Sequence, residues 1–222
     1  TPVTWEFSDP ANDPAPLATL AELTVAGLHP GPQQHEQYVA NLVAAIRAGR
    51  FDKVVAARSI EFGCVPAVDP AAYFAQLCAR NPRANCFLVE TGNSTFLGAT
   101  PELLISKRGA QIQLFPLAGT VPRSADPETD HERGQALTKS AKNLAEHAFV
   151  VDWIRDRLSP VCRELSAPAE PSLVAAEQMW HLGTPITGTL TGPGATSLEL
   201  AVLLHPTPAV CGSPAGPALR EI

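Results

Sequence analysis

Two long stretches of the chain repeat apolar residues at helical spacing. Residues 35–48 place Tyr38, Leu42 and Ile46 on one face, and Gly49 is a suitable stop. Residues 135–158 predict one continuous amphipathic helix that ends before Pro160. Its apolar stripe consists of Leu137, Ala141, Leu144, Ala148, Val151 and Ile154.

Shorter segments between these stretches predict strands and two further helices. Residues 53–60 are rich in β-branched side chains and predict one buried strand. The other predicted strands cover residues 86–90, 95–98, 103–106, 111–117 and 180–188, and the short helices cover residues 70–78 and 197–204. The polar residues 123–133 are predicted to form a loop. Because strands and helices interleave irregularly, the pattern favours an α+β fold over a doubly wound sheet.

The composition is that of an ordinary globular protein. Of the 222 residues, 45% are hydrophobic and 17% are charged, and the formal net charge is -6. The acidic balance and the lack of a basic stripe argue against a nucleic-acid partner, and no apolar run is long enough to span a membrane. The first 34 residues hold six prolines and predict a loosely structured lead-in before a domain over residues 35–222.

The cysteines and the chain ends suggest a compartment and a possible truncation. Five scattered cysteines without a C-x-x-C pair are typical of a reducing cytoplasm, so we expect a cytoplasmic protein, and we expect it to be a monomer. The chain opens on Thr1, and residues 219–222 lie within a helix-like pattern. We therefore expect a fragment of a longer protein.

Lys53 stands at the mouth of an apolar predicted strand. A lysine in that place is ordinarily a solvated strand end or a side chain that extends its amine to water. The alternative is a partly desolvated amine that acts as a general base.

Glu102 has two interpretations as well. Thr100 and Pro101 before it resemble a helix start. Residues 103–105, however, run directly into a turn, which would hold Glu102 between apolar strands as an acid.

Two further segments could bind a substrate or a metal ion. Residues 115–120 contain small residues that let the backbone approach a carboxylate, although an ordinary strand-ending turn fits them too. Glu146 follows Lys142 by four residues, which favours a surface ion pair. It also lies near the apolar stripe, where a hard cation such as magnesium would suit it.

Six motifs, taken in order, closely resemble the chorismate-utilising enzyme family. They are Lys53-Val54-Val55, Gly98-Ala99-Thr100-Pro101-Glu102, Pro116-Leu117-Ala118-Gly119-Thr120, Glu146-His147, His181-Leu182-Gly183-Thr184 and His205-Pro206-Thr207-Pro208-Ala209-Val210. The likeness covers residues 35–222 nearly continuously. It implies a fold of two packed antiparallel β-sheets flanked by helices, with chorismate as the substrate.

The resemblance also implies roles. Lys53 would deprotonate a water that attacks C2 of chorismate, and Glu102 would protonate the departing C4 hydroxyl. Glu146 would hold a Mg²⁺ ion that fixes the ring carboxylate. The implied substrate contacts are Gly119, Thr120, His181, Thr184, Ala209 and Val210.

Within the family, two features favour isochorismate synthase. Ammonia-using members carry a Gly-Thr-x-Thr-Gly-Ala-Pro-Lys type segment where this chain has residues 205–214, and Ala209 and Val210 instead leave room for water. Lys53 supports the same choice, since the anthranilate enzymes lack a lysine base. The Cys211-Gly212-Ser213-Pro214 segment resembles the siderophore branch, and a menaquinone role stays open.

Two alternatives remain: a salicylate synthase, which would also eliminate pyruvate, and a non-catalytic chorismate-binding fragment. The family continues past Ile222 with a second glutamate for Mg²⁺ and an arginine for a substrate carboxylate. A single carboxylate is a poor magnesium site, so little catalysis is expected of these 222 residues alone.

Overall fold

The computed structural model describes residues 23–65, 67–192 and 194–222. In chain order the elements are β1 (Thr24–His29), α1 (Pro32–Arg47), β2 (Lys53–Val54), β3 (Ser59–Gly63), α2 (Pro70–Arg80), β4 (Asn85–Thr91), β5 (Ser94–Thr100), β6 (Leu103–Arg108), β7 (Gln111–Phe115), β8 (Leu117–Pro122), α3 (Pro127–Lys139), α4 (Ala141–Leu158), β9 (Cys162–Ser166), β10 (Ser172–Ala175), β11 (Met179–Gly183), β12 (Ile186–Leu190), α5 (Ser197–Leu204), β13 (Gly212–Ser213) and α6 (Ala215–Leu219). No helix in the described residues is both long enough and apolar enough to cross a membrane.

The chain divides into two compact units. Among the described residues, the first takes in residues 23–31 and 58–102, and the second takes in residues 32–57 and 103–222. In the first unit, β1 pairs with β3 and β4 pairs with β5, both antiparallel. Helix α2 begins at Asp69, whose carboxylate accepts the backbone N–H of Ala71 at 2.9 Å. It packs against the β4–β5 hairpin.

Two antiparallel sheets form the framework of the second unit. One has the strand order β6-β7-β12-β9 and the other has the order β10-β11-β8. A short ladder joins β13 to β2. The predicted α+β fold, with two antiparallel sheets flanked by helices, is confirmed.

Helix α4 connects both sheets through the main core of the second unit. Its residues Val150, Ile154 and Leu158 are almost wholly buried. They pack in one cluster with apolar residues of β7, β8, β12 and α5. Burial of this much apolar surface fixes the position of α4, and therefore of the polar residues that the same helix carries.

The single helix predicted over residues 135–158 is wrong, because the chain forms two helices that meet at Ser140. Ser140 has an extended backbone, and its hydroxyl accepts the N–H of Asn143 at 3.4 Å as the cap of α4. The apolar period runs across this break, so the pattern alone does not reveal it. Ala141 and Ala148, both assigned to the apolar stripe, are exposed.

The loop predicted over residues 123–133 is also wrong, since α3 begins within it. Asp126 caps the helix by accepting the N–H of Thr129 at 2.9 Å, and Pro127 occupies the first turn. The stretch has few apolar residues because one position on the buried side of the helix is occupied by a charged residue. That residue is Asp130, which is 8% exposed. Arg123 donates to that carboxylate at 2.6 Å.

Prolines and irregular backbone divide three of the predicted strands. Residues 111–117 form β7 and β8, which are separated at Pro116, and residues 180–188 belong to β11 and β12, which are separated next to Pro185. A proline has no N–H for the ladder, which explains both breaks. Residues 53–60 contain β2 and only the start of β3.

The lead-in expected over residues 1–34 is ordered where the structure describes it. Residues 1–22 lie outside the described residues. Beyond them, β1 pairs with β3, and α1 begins at Pro32. The prolines that suggested a loose segment, Pro30 and Pro32, lie in the turn before α1 and at its first position, where a proline is well tolerated.

Candidate active site

Lys53 and Glu146 come together in the second unit. The Lys53 Nζ atom lies 3.9 Å from Glu146 Oε1, and the two side chains are 11% and 32% exposed. The Lys53 amine also donates to the backbone carbonyl of Pro208. On the other side, Lys142 Nζ lies 3.7 Å from Glu146 Oε2 and is 84% exposed. The Glu146 carboxylate thus lies between two lysine amines, one largely buried and one exposed to solvent.

The β2–β13 ladder determines where Lys53 sits. Lys53 pairs with Ser213, and the N–H of Val55 donates to the carbonyl of Cys211 at 2.8 Å. At Gly212 a Cβ atom would lie 2.3 Å from the Lys53 carbonyl oxygen, so only glycine allows the two backbones to approach this closely. The backbone around Lys53, the candidate base, is therefore paired with the segment of residues 205–214.

The predicted contacts Ala209 and Val210 belong to that segment and differ in environment. Ala209 packs against the main apolar core. Val210 is 58% exposed. Its N–H donates to the carbonyl of Thr207 at 3.1 Å within a tight turn. Their contact with a substrate stays a prediction.

Gly119, Thr120 and His181 form a second cluster at the β8–β11 ladder. The pairing register shifts beside Leu182, and Gly119 takes a φ of +83° in this bulge. The hydroxyl of Thr120 lies 2.9 Å from His181 Nδ1. A Cβ at position 119 would lie 3.1 Å from the Cβ of Asn143 on α4. Residues 117–120 therefore lie in strand β8 with a bulge, rather than in a turn that ends a strand, and this bulge touches the helix that carries Glu146.

A buried histidine connects these two clusters. His147, 3% exposed, follows Glu146 on α4. Its Nδ1 lies 3.2 Å from the carbonyl oxygen of Ala118, and its Nε2 lies 2.7 Å from the hydroxyl of Thr184. Thr184 is itself only 2% exposed. The hydroxyl of this predicted substrate contact thus faces His147.

Burial governs the charge of both histidines at the site. It lowers the pKa of His147, an effect that the bond to the Ala118 carbonyl opposes. It also lowers the pKa of His181. In both residues, burial thus favours the neutral ring.

Glu102 belongs to the first unit, where it is half-buried. Its N–H donates to the hydroxyl of Thr100 at 3.1 Å. The strands β5 and β6 flank this short turn, so Thr100 does not start a helix here. Its role as the acid stays a prediction.

Magnesium fits the described residues in ligand type but not in number. Glu146 offers carboxylate oxygens, which are the ligands that Mg²⁺ prefers. Within residues 23–65, 67–192 and 194–222, however, no three His, Cys, Asp or Glu side chains cluster closely enough to hold a metal ion. No step of a reaction is therefore derived through the ion.

Sequence reasoning missed the contributions of Pro208 and of His147 as a linking residue. The Pro208 contact is made by a backbone carbonyl, and because every residue has one, the sequence does not predict it. His147 was part of a recognised motif, but its partners lie 29 and 37 residues away along the chain. Its position on the buried face of α4, four residues before Val151, was the available signal.

Comparison with known proteins decides the family. The sequence profile described as "Chorismate binding enzyme" matches residues 8–222. The chain belongs to this family. The resemblance drawn from the six motifs is thereby confirmed.

Three relatives illustrate the similarity. The chain is 40% identical over 200 residues to the isochorismate synthase DhbC of Bacillus subtilis (strain 168), covering 87% of this chain and 50% of DhbC. The solved structure of DhbC from Bacillus anthracis matches with a TM-score of 0.87 and 36% identity, over 91% of this chain and 55% of that one. MenF, the menaquinone-specific isochorismate synthase from Escherichia coli, matches with a TM-score of 0.82 and 29% identity, over 94% and 48%. The chain spans about half the length of these relatives.

Proposed function

We propose that this protein converts chorismate to isochorismate. The observation that carries the proposal is the largely buried Lys53 amine, held against Glu146 and the Pro208 carbonyl. The 40% identity to the isochorismate synthase DhbC of Bacillus subtilis supports it. An amine in that setting is oriented at one end of the site, as a general base must be.

The reaction requires one base and one acid. Lys53 takes a proton from a water molecule as the water oxygen bonds to C2 of chorismate. The ring double bond shifts, the C4–O bond breaks, and Glu102 gives its proton to the departing hydroxyl. The products are isochorismate and water, so atoms balance, and exchange with solvent resets both side chains.

Other residues of the second unit bind and orient the substrate in this scheme. The backbone at Gly119 and Thr120 meets a substrate carboxylate, and His181, which Thr120 contacts at 2.9 Å, completes that edge. The small side chain of Ala209 and the neighbouring Val210 leave space for the attacking water. Chorismate carries two carboxylates, so charge neutralisation is a large part of binding.

The proposal includes a Mg²⁺ ion with Glu146 as one of its ligands. The ion supplies charge neutralisation and orientation for the ring carboxylate. Its remaining ligands would be oxygen atoms of the substrate and of water. We further propose that the protein acts in the cytoplasm as a monomer, in siderophore or menaquinone biosynthesis.

Product analysis tests the proposal. The full-length protein is incubated with chorismate and Mg²⁺, and the products are separated by liquid chromatography. Isochorismate alone is the expected result. Salicylate together with pyruvate would instead identify a salicylate synthase. A folded protein that binds chorismate without turnover would mean a non-catalytic binder and would refute the enzymatic proposal.

A further inference from the structure

His147 is a buried side chain to which the reaction assigns no proton. It lies on α4 directly after Glu146 and is 3% exposed. One ring nitrogen contacts β8 through the Ala118 carbonyl, and the other contacts the β11–β12 junction through Thr184. The ring therefore links three elements of the candidate site.

The partners of His147 define its tautomer. A carbonyl oxygen can only accept, so the Nδ1 atom facing Ala118 must carry the hydrogen. Burial favours the neutral ring, in which Nε2 carries the lone pair, and the Thr184 hydroxyl 2.7 Å away donates to it. The single hydrogen of the Thr184 hydroxyl is used in this bond.

The hydrogen bond from His147 to the Ala118 carbonyl also orients the N–H of Gly119. The C=O of Ala118 and the N–H of Gly119 belong to the same planar trans peptide, in which the two groups point in opposite directions. Fixing the carbonyl against His147 therefore fixes the direction of the Gly119 N–H. This control matters here because Gly119 lies in a bulge with φ +83°, where the ladder does not determine the peptide plane in the regular way.

We propose that His147 is a positioning residue that aims the Gly119 N–H at a carboxylate of the bound substrate, and that Thr184 acts only by holding the His147 tautomer. The inference rests on the proposed function, because it takes the substrate to be a carboxylate-bearing acid such as chorismate. Because His147 holds the carbonyl side of the Ala118–Gly119 peptide, the Gly119 N–H is already oriented before the substrate binds. Little reorganisation is then needed when the carboxylate binds.

The tautomer is measured first, without substrate. Protein labelled with ¹⁵N-histidine is examined by two-bond ¹H–¹⁵N correlation at neutral pH, and His147→Asn identifies the signal. A protonated Nδ1 and an unprotonated Nε2 are expected for His147. An Nε2–H tautomer or a charged ring would overturn the proposal, whether or not the protein turns over chorismate.

Two substitutions of His147 distinguish the role of Nδ1 from the role of Nε2. Asn places an amide N–H near the position of Nδ1, whereas the longer Gln places it near Nε2. His147→Asn should keep KM for chorismate within a few-fold of wild type, because the Ala118 carbonyl retains its donor. His147→Gln should raise KM by about 10- to 100-fold, the usual effect of losing a hydrogen bond to a charged group. In both variants kcat should change less than KM, and the pH profile of kcat should keep its shape.

Two substitutions of Thr184 form a matched pair, and they disturb the buried packing less than the substitutions of His147. Thr184→Ser keeps the hydroxyl, and Thr184→Val removes it at equal size. The serine variant should behave as wild type, and the valine variant should raise KM while its His147 signal shifts. Equal KM values for these two variants, or for the Asn and Gln variants of His147, would overturn the positioning role while leaving isochorismate formation by the wild type intact. Absence of turnover by the wild type would instead refute the proposed function and leave the tautomer measurement standing.

Discussion

The buried amine of Lys53 lies 3.9 Å from the carboxylate of Glu146. One of these residues is the proposed base and the other is the proposed metal ligand, so the two functions meet at one contact. The carboxylate has a second cation, Lys142, at 3.7 Å. The two lysines differ chiefly in exposure, 11% against 84%, which makes them a natural experimental pair.

Replacing Lys53 by alanine should lower kcat by about 10²- to 10⁴-fold, the usual contribution of a general base. Binding of chorismate in the presence of Mg²⁺ should remain close to wild type, since the base is not a substrate ligand. Steady-state kinetics and calorimetric titration with chorismate measure the two effects. Lys142→Ala is the control, and it should change kcat by less than about fivefold, because an exposed ion pair is worth at most ~1 kcal/mol. If Lys53→Ala weakened binding as much as it slowed turnover, the base assignment would be wrong.

Replacing Glu146 by glutamine should raise the Mg²⁺ concentration needed for half-maximal activity by about tenfold or more, because an amide is a weaker ligand than a carboxylate. Activity is measured against Mg²⁺ concentration in full-length protein stripped of metal. Asp152→Asn, an exposed carboxylate on the same helix, should leave the curve in place. An unchanged metal requirement in Glu146→Gln would remove Glu146 from the metal site.

Replacing Gly119 by alanine should destabilise the protein in two ways. The residue has φ +83°, and the new Cβ would lie 3.1 Å from Asn143 and 3.3 Å from Leu182. Gly109 provides the control, because it has φ +60° with open space around it. Gly109→Ala should cost about 1–2 kcal/mol for the left-handed backbone alone. Gly119→Ala should cost about 1–3 kcal/mol more, because it also overpacks the interface with α4. Denaturant unfolding measures both, and equal costs would mean that the bulge and the helix are not tightly packed.

Acid should remove the contribution of Asp130 to stability. The Arg123 guanidinium, which donates to this carboxylate, is the first cause that lowers its pKa from 3.8 to about 2. A carboxyl group whose pKa is lower in the folded state stabilises the protein above its unfolded pKa and loses that effect as pH falls. The stability difference between wild type and Asp130→Asn should thus be constant above pH 3.8 and shrink as pH falls toward about 2.

Urea unfolding at several pH values measures this difference. Glu132→Gln, an exposed acid on the same helix, should change the unfolding free energy by less than about 0.5 kcal/mol at neutral pH. If the difference between wild type and Asp130→Asn kept its full size at the lowest pH, the Arg123–Asp130 pair would not be its source.

Elements with a clear apolar period could be predicted from the sequence. Helix α5 was predicted over residues 197–204 and occupies Ser197–Leu204. Strands were also predicted over residues 86–90 and 95–98, where β4 and β5 lie. The sequence did not reveal α3 as a separate helix, because its buried face includes the charged Asp130, which is paired rather than apolar. Periodicity detects apolar faces and is blind to polar groups that are buried together.

The candidate site could be predicted only as a set of residues, not as an arrangement. The resemblance to a family identified Lys53 and Glu146 as site residues. Their separation of 3.9 Å depends on the β2–β13 ladder and on the packing of α4, which the sequence does not show. The task of Thr184 could not be predicted, since it depends on a hydrogen bond to a ring 37 residues away in the chain. Long-range partners of this kind leave no local pattern.

Oxygen labelling tests the central claim most directly. The full-length protein converts chorismate in H₂¹⁸O with Mg²⁺, and the product is analysed by mass spectrometry. If Lys53 activates a water for attack at C2, isochorismate must carry one ¹⁸O atom at C2. Isochorismate without the label, or no isochorismate at all, would contradict the account.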